Sequence, residues 1–307
     1  MTTIGITGAT GAIGGRVART LDEALGREGA LADQRGSLGL RLLVRDVARA
    51  PDADDVRKIS YADRASALEA LRGVDVLLMV SAAEDPDRRT QHRTFVDAAA
   101  DAGVGHLVYT SFAGAAPDAT FTLGRDHADA EAAIADACAR TGMTATLLRD
   151  NFYADLLPFF ADAGGAVRGP AGSGRVAAVA RADVADVATL VLAETAGGSD
   201  AHRGAAYTLT GPEALTLTEV AARATAVLDH EVRFVDETVE EAYASRAAAY
   251  PGTPDWQLDA WVSTYTAIAD GSCAEVTDAV ATLTGHPART LEEALAEAAA
   301  WEAPRRR

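Results

Sequence analysis

Short apolar runs alternate with amphipathic segments through the first half of the chain. The run TTIGITG at residues 2–8 predicts a buried strand, and Ile13, Val17, Leu21 and Leu25 then recur every four residues, as on one face of a helix. Further strands are predicted in LGLRLLVRD, VDVLLMVSA, HLVYTSF and TATLLRDNF, with helical segments between them. Near-continuous apolar strands separated by helices are typical of a parallel sheet covered on both faces, so we predict an α/β, doubly wound fold.

The second half of the chain has a less regular pattern. A Gly-rich connection leads into a strand and then into a helix over ADVADVATLVLAE, for which Asp183 is the predicted N-cap. Thr216 and Thr290 are each followed three residues later by Glu, which predicts capping boxes at two further helix starts. From about Thr238 onward the chain is predicted to be wholly helical.

The stretch GITGATGAIGGRV joins the first predicted strand to the first helix. It places Gly8, Gly11 and Gly14 at a spacing of three, although 27 glycines in 307 residues make the bare pattern weak. Its context is that of the dinucleotide fingerprint of a Rossmann fold, which follows a strand, opens a helix and begins a βαβ unit. Gly8 would permit the tight turn, Gly11 the approach of a pyrophosphate, and Gly14 close packing of helix on strand. A purely structural turn is the competing interpretation.

The end of the second predicted strand bears on the choice of cofactor. Arg45 follows LRLLV directly, and an arginine at this place accommodates the 2′-phosphate of NADP, whereas a carboxylate would bind the 2′-hydroxyl of NAD. We therefore favour NADP(H). The alternative is a surface arginine paired with Asp46, and the link GREGALADQRGS that precedes this strand is unusually long.

Charge and cysteine content narrow the function classes. The net charge of −17 argues against a nucleic-acid groove, which needs clustered basic residues, and the basic run at residues 305–307 is expected to be a solvated tail. Cys138 and Cys273 have no metal-like spacing, and Asp183 with Asp186 is interpreted as a helix start, so no metal site is predicted. Without a predicted signal peptide or membrane span, we expect a cytoplasmic protein that binds neither nucleic acid nor membrane.

The chain contains a single lysine, Lys58, and the residue four positions before it is Asp54. A Tyr-x-x-x-Lys pair, which can supply the acid and base of NAD(P)-dependent alcohol dehydrogenation, is therefore absent. A quinone is electron-poor and needs less assistance, because water can protonate the reduced oxygens while the protein supplies orientation. The missing pair favours quinone-type reduction or no catalysis.

Motifs that cover nearly the whole chain point to one group of proteins. They are ITGATGAIG, LLVRD, VDVLLMVSA, HLVYTSF, DHADAEAAI, TLLRDNFYADLLP, GPAGSGRVAAVARADVADVA and YTLTGPEALTLTEVA. Together they resemble the NmrA-like atypical short-chain dehydrogenases, and within that group the bacterial NAD(P)H:quinone oxidoreductases. The resemblance implies a Rossmann domain that binds NADP(H), a C-terminal domain that closes over the nicotinamide, and hydride transfer to a quinone-like acceptor.

The predicted domain boundary lies near Asn151. Residues 1–152 would form the NADP-binding Rossmann domain, to which parts of 175–236 return. Residues 153–307 would form a smaller, mainly helical domain that covers the substrate. The substrate is expected to be a small aromatic or quinone-like molecule, and the oligomeric state is left open, with a homodimer among the alternatives.

The resemblance also assigns roles to individual positions. Gly8, Thr10, Gly11, Ala12, Ile13 and Gly14 would hold the pyrophosphate, Arg45 the 2′-phosphate, and Asp63 would lie near the adenine. Ser81 and Ala82 would flank the ribose, Thr110 and Ser111 would lie below the nicotinamide, and Asn151, Phe152 and Tyr153 would border the nicotinamide and the substrate. His127 matches the position at which ordinary short-chain dehydrogenases have their active-site lysine. Asp150 in RDNFY departs from the RNGWY of the quinone reductases, so a different acceptor pocket is expected.

Three candidate catalytic residues keep two interpretations each. Ser111 would bond a substrate oxygen or merely satisfy backbone groups at a strand end. His127 would hold a ribose hydroxyl or relay a proton, or be a solvent-exposed histidine at a helix end. Tyr153 would stack on an aromatic acceptor or donate a proton, or simply pack as a wall of the pocket.

Two functions from different classes follow. The first is an NADPH-dependent oxidoreductase that reduces a quinone or a related conjugated carbonyl. The second is a non-catalytic NADP(H) sensor that regulates a partner protein, as some NmrA-like proteins do. A sugar-nucleotide epimerase is a weaker third hypothesis, because that chemistry normally needs the missing Tyr/Lys pair.

Overall fold

The computed structural model describes residues 1–26, 29–34 and 36–302 of the chain. Three positions of the predicted link before the second strand, residues 27, 28 and 35, lie outside the described residues, as does the predicted basic tail at 305–307. No helix within the described ranges is long and apolar enough to cross a membrane.

A seven-stranded sheet forms the centre of the fold. Its strands, in their order across the sheet, are β3 (Val56–Lys58), β2 (Leu38–Val44), β1 (Thr2–Thr7), β4 (Val76–Met79), β5 (His106–Phe112), β6 (Thr144–Asp150) and β9 (Ala206–Leu209). The pairs β3–β2, β2–β1, β1–β4 and β4–β5 are parallel. This order reverses direction at β1, as in a doubly wound sheet, which confirms the predicted α/β fold. All residues of β4 and β5 are buried, as expected for strands covered on both faces.

Ten α-helices accompany the strands in the described part of the chain. They are α1 (Ala12–Leu25), α2 (Arg64–Leu71), α3 (Arg88–Asp101), α4 (Thr122–Thr141), α5 (Arg181–Ala196), α6 (Leu217–Val227), α7 (Val239–Ala249), α8 (Asp255–Ala269), α9 (Ala279–Thr284) and α10 (Leu291–Glu302). Four helices follow Thr238, so the end of the described chain is helical apart from its connecting loops, close to the prediction.

Two small sheets complete the secondary structure. The strand β7 (Ala166–Gly169) pairs in parallel with β11 (Arg233–Asp236), and β8 (Arg175–Val176) pairs antiparallel with β10 (Leu215–Thr216). The Gly-rich connection thus contains two short strands rather than one.

The chain divides into two compact units. The first comprises Met1–Ser111, Ala128–Leu148 and Val184–Tyr207, and the second comprises Phe112–His127, Arg149–Asp183 and Thr208–Arg307. Each unit has its own apolar core. Leu77, Met79, Phe95, Leu107 and Tyr109, all fully buried, belong to the first core, whereas Val176, Ala224, Tyr265, Ile268 and Leu291 belong to the second.

Helix starts agree with the sequence in two cases and disagree in one. Thr216 and Glu219 form the predicted capping box at α6, and Thr290 with Glu293 makes the same reciprocal bonds before α10. Asp183 is not the N-cap of α5, because that helix begins two residues earlier, at Arg181. Its fully buried carboxylate instead accepts hydrogen bonds from the backbone N–H and the guanidinium group of Arg289.

Candidate functional site

The loop between β1 and α1 has the geometry that the glycine pattern predicts. Gly8 adopts φ 64°, in the left-handed region that favours glycine. A Cβ atom on Gly14 would lie 2.5 Å from the carbonyl oxygen of Thr7 and 2.6 Å from that of Gly8. No side chain fits at such distances, so Gly14 allows α1 to pack directly against the end of β1.

The amino end of α1 is left open by the protein. Gly11 is the N-cap residue and provides no side chain to bond the first N–H groups, and the first turn contains no acidic residue. Thr10 and Gly11 are exposed, Ala12 is half-buried and Ile13 is buried. Free N–H groups and the positive end of the helix dipole are a ready site for an anion, so this cradle fits the pyrophosphate of a dinucleotide.

Arg45 follows β2 directly and its side chain is exposed. Within the described residues it forms no ion pair with Asp46, whose carboxylate accepts the backbone N–H of Ala48 at 3.0 Å instead. The alternative of an Arg45–Asp46 pair is therefore not what the structure contains. An unengaged guanidinium group beyond the neighbouring strand end is suited to a phosphate.

A hydrogen-bond network ties the carboxyl ends of β1 and β4 together. The Tyr61 hydroxyl oxygen lies 2.7 Å from both Thr7 Oγ1 and the carbonyl oxygen of Val80, and Thr7 Oγ1 accepts the N–H of Val80 at 2.8 Å. Burial raises the pKa of Tyr61, while the bond to Thr7 and the positive charge of Arg45 lower it. The neutral tyrosine fixes the backbone beside the glycine cradle.

The segment after β4 is held in the same way. β4 ends at Met79, and the following Ser81 donates its backbone N–H to Thr110 Oγ1 at 2.9 Å. Ala82 donates its N–H to His92 Nε2 at 2.9 Å, and its carbonyl oxygen accepts Arg88 Nε at 2.9 Å. The side chains of Thr110 and His92 thus position the backbone of the two residues predicted to flank the ribose.

Asp63 and Ser111 have partners within the first unit. The carboxylate of Asp63 caps α2 by accepting the N–H groups of Ala65 and Ser66, both at 3.1 Å. The buried Ser111 hydroxyl donates to Glu131 Oε1 at 2.6 Å, a side-chain partner rather than the backbone group of the competing interpretation. Both contacts orient the side chain without using all of its hydrogen-bonding capacity.

In the second unit, three phenylalanines form a mutual aromatic cluster. The ring centroids of Phe112 and Phe121 lie 4.9 Å apart, and Phe152 lies 5.1 Å from the first and 5.0 Å from the second. His127 lies 6.2 Å from Phe112 and is only 7% exposed. The interpretation of His127 as a solvent-exposed helix-end residue was wrong, because it lies within α4 with its ring against this aromatic cluster.

Asn151 stabilises the chain immediately after β6. Its side-chain Nδ2 donates to the carbonyl oxygen of Cys273 at 2.9 Å, and its Oδ1 accepts the N–H of Phe152 at 2.7 Å. The side chain is buried. In this structure Asn151 orients the backbone that carries Phe152 and Tyr153.

Asp150, the last residue of β6, is buried next to Tyr153. Its Oδ2 lies 3.1 Å from the Tyr153 hydroxyl oxygen, and its Oδ1 is buried without a hydrogen-bond partner in the described part of the chain. Burial raises the pKa of Asp150 well above its ordinary value, and burial also raises that of Tyr153. Nearby, Arg181 Nε binds Asp155 Oδ2 at 2.7 Å, and its positive charge lowers the pKa of Tyr153.

Several of these contacts were not predicted from the sequence. The bonds of Thr7, Tyr61 and His92 join residues far apart in the chain, so no local pattern reports them. Phe112 directly follows the predicted site residue Ser111 at a strand end, and this adjacency is the sequence signal that could have identified Phe112 as part of the candidate site. The buried Asp150, whose Oδ1 has no hydrogen-bond partner among the described residues, was noticed only as a departure from a motif.

Comparison with known proteins identifies the family. Residues 8–195 match the model of a family described as NAD(P)H-binding. The chain is 33% identical to the NAD(P)H azoreductase of Xenophilus azovorans, over 97% of this chain and 99% of the relative.

Two solved structures cover 96% of this chain and 99% of their own. One is the NADPH-dependent quinone oxidoreductase QOR2 of Escherichia coli complexed with NADPH, at a TM-score of 0.80 and 30% identity. The other is the triphenylmethane reductase of Citrobacter sp. complexed with NADP(H), at a TM-score of 0.75 and 28% identity. These matches show that the chain belongs to an NAD(P)H-binding family that includes this azoreductase and this quinone oxidoreductase, and that it is an NAD(P)H-dependent oxidoreductase similar to quinone reductases.

Proposed function

We propose that this protein uses NADPH to reduce a quinone or a related conjugated carbonyl compound, without a Tyr/Lys catalytic pair. The observation that carries the cofactor assignment is the position of Arg45, exposed beyond β2 and without an ion-pair partner among the described residues. The guanidinium group matches the geometry of a 2′-phosphate, whereas the neighbouring carboxylate of Asp46 is oriented by the cap that it forms on the next turn.

The residues of the cradle would bind the rest of the cofactor. The N–H groups of Ala12 and Ile13 would hold the pyrophosphate, since that of Gly11 already donates to the carbonyl oxygen of Gly8 at 2.8 Å. Ser81 and Ala82 would lie along the ribose. Asp63 would border the adenine, and Thr110 and Ser111 would border the nicotinamide. Bound NADPH would supply the hydride, and the chain would supply its orientation and the exclusion of water.

The class of substrate that accepts the hydride is inferred from the aromatic side chains that are present and from the catalytic lysine that is absent. Phe152 belongs to an aromatic cluster suited to a flat conjugated molecule, and Tyr153 beside it carries a hydroxyl group. Lys58 is the single lysine, so the activation that an unconjugated ketone needs is missing. The proteins that this chain resembles are named for reduction of quinones, azo compounds and triphenylmethane dyes, which are all conjugated acceptors.

The test is NADPH oxidation with a panel of a benzoquinone, a naphthoquinone, a cyclic enone, an azo dye and a cationic triphenylmethane dye. A saturated cyclic ketone serves as the control. We expect turnover with at least one quinone or enone and none with the saturated ketone. Tight binding of NADPH without turnover of any acceptor would instead support the sensor hypothesis, and equal rates with the saturated ketone would contradict the assigned acceptor class.

A further inference from the structure

Asp150 and Tyr153 form a pair at the carboxyl end of β6. In open α/β sheets, ligands bind outside the carboxyl ends of the strands. The Asp150 carbonyl oxygen accepts the N–H of Ala113 at 2.9 Å, and the next residue donates its N–H to Leu209 at 3.0 Å, so the backbone of the aspartate is fixed from both sides. The ring of Tyr153 is half-buried, and the N–H and carbonyl groups of Val179 bond the residues on either side of it.

The surroundings of the Asp150 carboxyl group do not suit a negative charge. Its side chain is 2% exposed, Oδ2 contacts the Tyr153 hydroxyl, and Oδ1 has no hydrogen-bond partner within the described residues. Arg181, whose positive charge acts on Tyr153, is already bound to Asp155 through Nε and through its backbone N–H. A buried carboxyl group without a cationic partner keeps its proton.

A neutral Asp150 changes the direction of the bond to Tyr153. An ionised carboxylate can only accept from the tyrosine, whereas a protonated carboxyl group can donate to the tyrosine oxygen across the same 3.1 Å. The tyrosine O–H is then free to donate a hydrogen bond to a group other than Asp150. We infer that Asp150 is a positioning residue that orients the Tyr153 hydroxyl as proton donor to the reduced acceptor and then returns a proton to it. This inference rests on the proposed function.

The proton transfer balances as follows. Addition of a hydride to a quinone leaves a hydroquinone anion, whose oxygen takes the proton of the Tyr153 hydroxyl. The tyrosine oxygen takes the carboxyl proton of Asp150, and the resulting carboxylate regains a proton from solvent. No oxidant or reductant is required beyond NADPH and the quinone. Burial raises the pKa of Tyr153, so the tyrosine would pass on its proton only as it receives the one from Asp150, and the positive charge of Arg181 would partly offset the effect of burial.

Acceptor chemistry provides an internal control. A cationic triphenylmethane dye takes a hydride at its central carbon and becomes neutral, so its reduction needs no proton. A quinone needs one proton per hydride. The ratio of quinone turnover to dye turnover therefore reports proton delivery separately from cofactor binding, folding and hydride transfer.

The experiment compares Asp150→Asn, Tyr153→Phe and the double variant with the unaltered protein. The matched control is Asp259→Asn, which removes an exposed carboxylate bonded at 2.7 Å to the hydroxyl of Tyr243 in the same unit. We expect the quinone-to-dye ratio to fall roughly ten- to 100-fold in each single variant and not to change in the control. The quinone-to-dye ratio of the double variant should be no lower than that of the poorer single variant, because the two substitutions interrupt the same proton relay.

A second readout does not depend on turnover. The infrared spectrum of the cofactor-free protein at neutral pH should contain the carbonyl band of a neutral carboxylic acid. That band should be lost in Asp150→Asn and kept in Asp259→Asn.

The outcomes separate the two levels of the proposal. If the unaltered protein reduces neither the quinone nor the dye, the proposed function is wrong. If the unaltered protein reduces quinone and the Asp150→Asn variant has the same quinone-to-dye ratio, the proposed function stands and the role of Asp150 is wrong. Losses that multiply in the double variant, or a missing carboxylic acid band in the unaltered protein, also overturn the relay.

Discussion

His92 Nε2 accepts the backbone N–H of Ala82 at 2.9 Å, from α3 to the segment that follows β4. An acceptor Nε2 requires the tautomer with its proton on Nδ1. Burial and the charge of Arg88 lower the pKa of His92 to about 3, so the ring stays neutral and keeps this bond at physiological pH. Ala82, one of the two predicted ribose-flanking residues, is thus positioned by a side chain ten residues later in the sequence.

Replacing His92 should therefore disturb both stability and cofactor binding. In His92→Leu the Ala82 N–H loses its acceptor, which should lower the free energy of unfolding by about 1–3 kcal/mol and weaken NADPH binding. His92→Gln is the matched variant, because its side-chain oxygen can replace Nε2. Urea unfolding and NADPH titration check both effects, and equal losses in the two variants would contradict the role of this hydrogen bond.

Gly14→Ala should abolish the cradle. The added Cβ would lie 2.5 Å from the carbonyl oxygen of Thr7, so α1 must move away from β1. We expect the dissociation constant for NADPH to rise more than about ten-fold while the protein still folds, because only one helix end is displaced. Calorimetric titration measures this.

The control for that variant is Gly36→Ala. No atom lies within 4 Å of a Cβ placed on Gly36. Its NADPH affinity should equal that of the unaltered protein. A normal affinity in Gly14→Ala would show that the close approach of α1 to β1 is not needed for binding.

Arg45→Ala should change the choice between cofactors. Loss of a guanidinium–phosphate contact removes a charge-assisted interaction worth about 1.5–3 kcal/mol, so NADPH affinity should fall roughly ten- to 100-fold. NADH lacks the 2′-phosphate and should bind with little change. Arg49→Ala removes an exposed arginine four residues later and serves as the control. Equal NADPH affinity in Arg45→Ala and the unaltered protein would remove the basis for assigning NADP.

The buried His106 should make stability depend on pH. Its ring nitrogens lie 2.7 Å from Thr144 Oγ1 and 2.9 Å from Thr146 Oγ1, and burial, with the charges of Arg203 and His202, lowers its pKa from 6.5 to about 4. The unfolded chain binds a proton first as the pH falls, so the folded state loses stability between about pH 6.5 and 4. The slope from this group is at most about 1.4 kcal/mol per pH unit.

His106→Gln should reduce that slope without abolishing it, because His92 contributes with the same sign. The exposed His230→Gln is the control and should leave the slope unchanged. Urea unfolding at several pH values measures the effect. A slope that is the same in all three proteins would show that His106 does not remain neutral in the folded state.

The sequence predicted those parts of the fold that depend on local pattern. Apolar strands and four-residue periodicity gave the parallel sheet, and the glycine spacing gave the cradle, since Gly14 and Gly8 are required by backbone geometry within a few residues. β3 was not predicted. It has three residues, and the side chains of Arg57 and Lys58 within it are exposed, so it presents no apolar alternation.

Contacts between distant residues could not be predicted in the same way. The burial of His127 depends on the ring of Phe112, fifteen residues away, and the buried Asp183 depends on Arg289, more than a hundred residues away. Residue identity alone left an exposed histidine as one of two interpretations of His127, and it predicted a helix cap for Asp183. The resemblance named the positions of the candidate site, and the structure added the hydrogen bonds that orient them, such as Ser111 to Glu131.

The first unit is assembled from three separate stretches of the chain, and the last of them, Val184–Tyr207, contains the start of β9. Leu147 donates its N–H to the carbonyl oxygen of Ala205 at 2.9 Å, so β6 obtains its outer neighbour only from residues synthesised late. During translation β6 therefore lacks its outer neighbour until about two thirds of the polypeptide has been synthesised, and its hydrogen-bonding edge stays uncovered for that interval.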